Sequence, residues 1–289
     1  MSEIYMGTSH SEIDTMLTCE RRHYYSYFLN LEPASKSKAL ETGTNVHYLL
    51  DRHFTKIQEL QQQNGLDYIT EEVITEVTGQ IVAEALTKMY SAEVITMYNN
   101  AILYNPFNFW EVLAVEDKRK LTLPNGMHMT FIVDLILRDN NGYIWIIDHK
   151  TAYDFYPDYL VKLFPQLPKY VGALRSMGLP AHKAGYSFMR KRTVKNATQH
   201  DLYKFQEVEI PDKRIQQAIH EQYRGAQRVM SRRKLYDKDP AQLEDYTLRS
   251  ASDMNCKMCP FKTLCAADML GEDTEIIIAL DYAQKAPRS

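Results

Sequence analysis

No stretch of this 289-residue chain approaches the roughly 18 unbroken apolar residues that a membrane helix needs. A membrane-spanning role is therefore not expected. The opening MSEIYMGTSH has neither a basic leader nor an apolar core of the secretory type, so a cytoplasmic location is expected. Cysteine is scarce: four residues are far too few for a secreted cystine scaffold, and a chain this long needs no such staples. Positive charge is not in excess either. Lys plus Arg number 34 against 37 Asp plus Glu, a net charge of −3, which excludes a uniformly basic nucleic-acid coat yet permits a local basic groove. Fixed-period repeats, interdomain linkers and helix-turn-helix or zinc-finger readers are missing, and Gln61 to Gln63 is the one low-complexity run.

The hydrophobic content of 45% and charged content of 25% are those of a globular protein, and the periodicity divides it. From Ser9 to about Asn30, Ile13, Met16 and Leu17 fall at helical spacing, followed by an aromatic cluster at Tyr24, Tyr25, Tyr27 and Phe28. Val46, Leu50, Phe54 and Ile57 predict a second helix after Gly43. Glu71 to Tyr104 is helical too, with a break near Ser91 and a stop before Asn105-Pro106. Residues 1–105 thus read as mostly helical. Beyond Pro106, Trp110–Leu123, Met127–Leu137 and Tyr143–Ile147 read as strands, joined by turns at Pro124-Asn125-Gly126 and Asp139-Asn140-Asn141-Gly142, an antiparallel meander. A helix through Tyr170, Ala173 and Leu174 follows, then strands at Ala184–Met189 and Leu202–Ile210 and a helix from about Asp212 to Lys234. The order implies an α/β sheet with a long helical appendage.

The cysteines are Cys19, Cys256, Cys259 and Cys265, the last three in CKMCPFKTLC. In a reducing compartment such spacing points to metal ligation more than to disulfides. Three close thiolates and a fourth from the other end supply the four soft donors of a [4Fe–4S] cluster. A structural zinc site also accepts four cysteines but usually takes them as two close pairs, and four unrelated thiols are a third reading. Either metal makes the group a clasp between the ends of the chain. DNA glycosylases of the helix-hairpin-helix type also end in a similar cysteine run, but no Gly-rich hairpin of theirs is present.

Asp134 lies in FIVDLIL, and Asp148 and Lys150 lie in IWIIDHKT. Side chains alternate along a strand, so Asp148 and Lys150 share a face while His149 points away and offers its carbonyl. Carboxylates among apolar residues need a cation, and hard oxygen ligands suit Mg²⁺ or Mn²⁺. A lysine beside them can orient water or steady charge on a phosphate, the chemistry of phosphodiester hydrolysis. An isolated D-x-K is more often an inert ion pair. Its context here includes Gly43-Thr44-Asn45-Val46-His47, which adds an imidazole, and Gln166-Leu167-Pro168-Lys169-Tyr170, an amide and a phenol on one helical face.

Together these motifs resemble the RecB-type PD-(D/E)XK nucleases, in particular the iron–sulfur branch with the AddB nuclease domain and the CRISPR-associated exonucleases. The resemblance runs from about Ser9 to Asp268. It implies a restriction-endonuclease-like α/β core with a mixed sheet and flanking helices, an N-terminal helical region and a C-terminal iron–sulfur clasp. A single nuclease domain spans 1–289 in this reading, with its core at 106–235, the cysteine segment at 236–270 and a tail at 271–289. The implied activity is that of a metal-dependent DNA exonuclease in recombination, repair or end processing. Its substrate would be DNA with single-stranded or free ends and its partner a helicase or recombination protein, with homo-oligomerisation left open. His47, Asp134 and Asp148 would hold Mg²⁺ or Mn²⁺ with help from the His149 carbonyl. Lys150 would serve the water, Gln166 and Tyr170 would bind DNA or support the site, and the four cysteines would hold the [4Fe–4S] cluster.

Several positions depart from the pattern: Val133 stands where the family name has proline, and Glu20 follows Cys19 where proline is common. Pro168 inside Q-x-x-x-Y requires that the helix start near Pro165, placing both prolines in its first turn. Glu116 reads as a solvated strand residue, with a further metal or supporting role as the alternative. Two basic clusters, Arg190-Lys191-Arg192 with Lys195 and Arg232-Arg233-Lys234, offer phosphate contacts or simply solvated charge. Two other functions compete with the nuclease: a non-catalytic DNA-binding or adaptor module of the same fold, and a zinc-clasped protein of unrelated function.

Overall fold

A computed structural model describes residues 6–35, 37–123, 126–191 and 197–285. Part of the turn at Pro124-Asn125 and the basic residues Arg192 and Lys195 lie outside them. In chain order the elements begin β1 (Gly7–Ser9), α1 (His10–Thr18), α2 (Glu20–His23), a π-helical turn (Tyr24–Phe28) and β2 (Leu31–Pro33). Next come α3 (Lys38–Asn64), a 3-10 turn (Leu66–Tyr68), α4 (Glu71–Thr87), α5 (Ala92–Tyr104), β3 (Glu111–Thr122), β4 (His128–Arg138) and β5 (Ile144–Ala152). They continue as α6 (Asp158–Val161), α7 (Gln166–Ser176), β6 (Ala181–Arg190), α8 (Gln199–Leu202), β7 (Tyr203–Glu207) and α9 (Asp212–Lys238). The last are α10 (Pro240–Tyr246), α11 (Asp253–Lys257), α12 (Lys262–Leu270), α13 (Thr274–Asp281) and β8 (Tyr282–Gln284).

These elements divide into two compact units, neither contiguous in sequence. One unit comprises residues 38–119 and 131–219. Its sheet has β5 at the centre, antiparallel to β4 and parallel to β6, with β7 antiparallel on β6. Ile144 to His149 are buried without a break, as expected of a strand covered on both faces. Helices α3, α4 and α5 share a core with Leu135, Leu137, Trp145 and Ile147. The α3 stripe of Val46, Leu49, Leu50, Phe54 and Ile57 is buried, each side chain contributing about 1.5–3 kcal/mol of hydrophobic stabilisation. Truncating the fully buried Leu49 to Ala would cost about 2–5 kcal/mol. Helix α7 buries Leu167, Val171 and Leu174, and its Gly172 leaves room for Ile215 and Ile219 of α9.

The other unit gathers residues 1–37, 120–130 and 220–289. Here β1 runs parallel to the start of β4, Gly7 opposite His128. Ile13 and Met16 of α1 pack with Leu123, Met127, Ala226, Val229 and Met230. Tyr24, Tyr25 and Leu31 pack with Leu243, Phe261, Leu264 and Tyr282.

Three sequence expectations need correction. The helix expected over Ser9 to Asn30 is interrupted at Cys19, whose extended backbone (φ −163°, ψ 117°) separates α1 from α2. The helix expected after Gly43 begins earlier, at Lys38. The tail at 271–289 contains α13 and β8, and β8 pairs antiparallel with β2, Leu31 opposite Gln284. Among the described residues no helix is long and apolar enough to cross a membrane.

Candidate active site

Asp148 and Lys150 sit two apart on β5 and face the same way, as strand alternation requires. Lys150 Nζ lies 2.5 Å from Asp148 Oδ2 and donates to Gln166 Oε1 at 2.9 Å. Gln166 Nε2 donates to Asp148 Oδ1 at 2.7 Å, closing a three-membered ring of side chains, and lies 3.2 Å from the Tyr170 hydroxyl. The Gln166 amide offers on separate atoms the acceptor that lysine needs and the donor that the carboxylate needs. Gln166 is the first residue of α7, with Pro165 preceding it and Pro168 in the first turn, where a missing N–H costs nothing.

Asp134 is on β4, one position before Leu135, which pairs with Ile147. Its Oδ2 accepts the backbone N–H of His149 at 2.7 Å and lies 3.7 Å from His47 Nδ1. His47 is one helical turn after Gly43 on α3. A Cβ on Gly43 would meet the Thr151 hydroxyl at 3.0 Å, so glycine permits α3 to approach the end of β5 and carry the imidazole to the carboxylates. The Lys191 ammonium donates to the Ala39 carbonyl at 2.7 Å beside the same glycine.

Glu116 is exposed, as a solvated strand residue would be, yet its carboxylate reaches this group. One ligand atom each from His47, Glu116 and Asp134 all lie within 4.8 Å of one another. Glu116 adopts φ +47°, the left-handed region, in the middle of β3. Such a conformation costs a non-glycine residue about 1–2 kcal/mol and breaks the alternation of the strand. No sequence pattern signals that reversal.

Burial pushes Asp134 up to about 6, against the lowering effect of the His149 N–H and Lys150. Burial also pushes Asp148 up to about 6, with Lys150 lowering it and Asp134 raising it. Glu116 is raised by burial and by Asp51 and Asp148. His47 is lowered by burial, with Asp148 opposing, which favours the neutral imidazole that ligates metals. Asp148 Oδ2 is buried and has no aligned hydrogen-bond donor, although the Lys150 ammonium is close. Three carboxylates and an imidazole crowded at the expense of their own ionisation fit a hard divalent cation.

Comparison with known proteins agrees with this geometry: residues 8–266 match the PD-(D/E)XK nuclease superfamily. The chain belongs to that superfamily. Membership implies a nuclease, and nucleases of this superfamily act on DNA with divalent metal ions. The mixed sheet with flanking helices is consistent with a restriction-endonuclease-like core. The crystal structure of SSO0001 is similar at 17% identity over 76% of this chain and 84% of that one, with a TM-score of 0.31. No curated protein matches.

Away from the PD-(D/E)XK residues, Cys19, Cys256, Cys259 and Cys265 all line one cavity of about 230 Å³. Cys19 reaches it because the break between α1 and α2 turns the chain there, and its Sγ lies 3.9 Å from the Leu248 carbonyl. Burial pushes the Cys259 thiol up. Arg22 and Arg249 line the same cavity.

In the second basic cluster the two arginines turn inward while Lys234 is exposed. Arg232 pairs with Glu20 at 3.2 Å and Arg233 with Glu12 at 2.7 Å, both carboxylates being buried. Glu20 also accepts the Leu248 N–H at 3.3 Å and pairs with Arg228 at 2.8 Å, so a charge replaces the usual proline after Cys19. In the first cluster Arg190 lies 3.5 Å from Asp154 and 3.9 Å from Asp201.

Proposed function

We propose that this nuclease is a divalent-metal-dependent DNA exonuclease of the iron–sulfur RecB-type branch, acting on single-stranded or free ends in recombination, repair or end processing. The observation that carries the reading is the closed ring of Lys150, Gln166 and Asp148 beside Asp134, His47 and Glu116. Asp134, Asp148, His47 and the His149 carbonyl would hold Mg²⁺ or Mn²⁺, with Glu116 as a further ligand. When bound, such an ion polarises phosphate oxygens and lowers the pKa of water.

The chain's own residues do the rest. Gln166 and Asp148 fix the Lys150 ammonium in one direction, where it donates to the attacking water and steadies negative charge growing on the phosphate. Tyr170 stacks its ring 5.2 Å from Phe131 and fixes the Gln166 amide, so its part is positioning. Lys191 stands at the site's edge as a phosphate contact.

Support for the cluster comes from the shared cavity, which brings Cys19 to the three cysteines of the C-terminal segment as a candidate four-thiolate set. In this reading both units belong to one nuclease domain, and the cluster is structural.

End-labelled linear and closed circular DNA, incubated with Mg²⁺ or Mn²⁺, test the assignment. Linear DNA should be shortened from its ends while circles persist, and Lys150→Ala should lower the rate by about 10²–10³ with the fold intact. Cutting of circles would replace exonuclease with endonuclease. No cutting of either by the metal-loaded wild type would leave a DNA-binding module.

A further inference from the structure

The chain leaves the candidate site at Lys150 and re-enters it at Gln166, and these two side chains touch at 2.9 Å. Everything between them is a closed loop standing on the reaction centre. Ring contacts and ion pairs tether that loop. Arg190 stacks over the Phe155 ring at 4.5 Å and pairs with Asp154 at 3.5 Å, while Lys204 holds Asp158 at 2.6 Å. The Tyr156 ring packs 5.2 Å from Phe164, whose carbonyl accepts Arg214 at 3.0 Å.

On this tethered loop Tyr153 is 68% exposed and Tyr159 70% exposed, more than any other tyrosine of the described residues. Lys162 follows Tyr159 by three positions, its N–H bonded to the Asp158 carbonyl at 3.1 Å, so the two side chains share a face of the α6 turn. Lys162 is exposed and makes no ion pair within 4.0 Å among the described residues. An exposed ring gains by stacking on a flat apolar face, and a lysine beside it calls for an anion such as phosphate. Unpaired bases meet both demands. Bases in a duplex do not, because their faces are already stacked.

We propose that Tyr153 and Tyr159 form a stacking platform for unpaired bases of the DNA being fed to the site, with Lys162 taking a backbone phosphate. This deepens the nuclease reading and rests on it. The platform selects single-stranded ends by base faces, without reading sequence, since every base offers such a face.

The test is fluorescence anisotropy in EDTA, so that nothing is cut, with three probes: an oligothymidylate, an abasic oligomer of equal length, and a blunt duplex. Tyr153→Ala/Tyr159→Ala should weaken oligothymidylate binding by about fivefold to a hundredfold and leave the abasic oligomer and duplex nearly unchanged. Tyr153→Phe/Tyr159→Phe should restore it, since the ring and not the hydroxyl stacks. Lys162→Ala should reduce the slope of log affinity against log salt by about 0.7. Unchanged oligothymidylate affinity in the double alanine variant would overturn the proposal, as would an equal loss on the abasic oligomer. Cleavage by the wild type with Mn²⁺ is scored separately. If the wild type cuts and the platform variant binds normally, the platform alone fails; if the wild type cuts nothing, the nuclease reading fails.

Discussion

Asp134 and Asp148 are both raised by burial to about 6, well above the usual carboxylate range, and this links proton, metal and stability. A carboxyl whose folded pKa exceeds its unfolded value of about 3.9 adds stability that is complete below that value and lost as pH rises through about 6. Without metal, wild type should therefore lose stability relative to Asp134→Asn/Asp148→Asn between about pH 4 and pH 7. Mn²⁺ binds the charged forms, so its stabilisation should be small near pH 5 and grow as pH passes about 6. Thermal unfolding of both proteins across that range, with and without Mn²⁺, decides this; a metal increment independent of pH would contradict it. Glu116 offers a sharper trade at one residue. Glu116→Gly removes the left-handed strain, so stability in metal-free buffer should hold or rise by up to about 1 kcal/mol while Mn²⁺ affinity falls. Urea unfolding and calorimetric titration measure the two effects, and a loss of stability with unchanged affinity would make Glu116 an ordinary strand residue.

At the scale of elements, the approach of α3 to β5 decides whether His47 reaches Asp134. Gly43→Ala gains about 1 kcal/mol of helix propensity but places its Cβ 3.0 Å from the Thr151 hydroxyl. Either the threonine or the helix must give way. The expected outcome is weaker Mn²⁺ binding at near-normal stability, restored when Thr151→Ala removes the hydroxyl. Equal binding in Gly43→Ala and wild type would mean that the threonine yields and the spacing is not critical. The G-x-x-x-H, D-x-K and Q-x-x-x-Y motifs were legible because helix and strand periods fix which residues share a face. The early start of α7 was legible as well, because Pro168 is tolerated only in a first turn. What periodicity could not show was reversal or tertiary pairing. Glu116 turns on a single φ, the break at Cys19 falls between residues with good helical spacing, and β8 exists only because β2 pairs with it.

Across the whole molecule, one unit contains every candidate PD-(D/E)XK side chain and the other contains all four cysteines. Within the cysteine unit, the proposed clasp would not be the sole link between the ends of the chain. β2 pairs with β8, and buried Arg21 pairs with Glu244 at 3.0 Å and with Asp268, which also accepts the Tyr25 hydroxyl at 2.6 Å. Opening the unit would strip the buried Arg21 guanidinium of its carboxylate partners, so these contacts resist opening on their own. If the four cysteines hold a cluster as proposed, losing one should therefore abolish it without unfolding the chain. Cys19→Ala is expected to purify without visible thiolate-to-iron absorption and with reduced iron and sulfide. Its backbone amides in 1–37 and 220–289 should exchange faster, while those of β5 and α7 keep their protection. Adding Arg21→Ala to Cys19→Ala should remove a second link, leaving the β2–β8 pairing, and lower the thermal midpoint far more than either change alone. Hydrogen exchange read by residue, with metal analysis on the same samples, checks both steps. A full cluster in Cys19→Ala would remove Cys19 from the ligand set, and global exchange in that single variant would make the cluster, not the Arg21 network, the element that closes this unit.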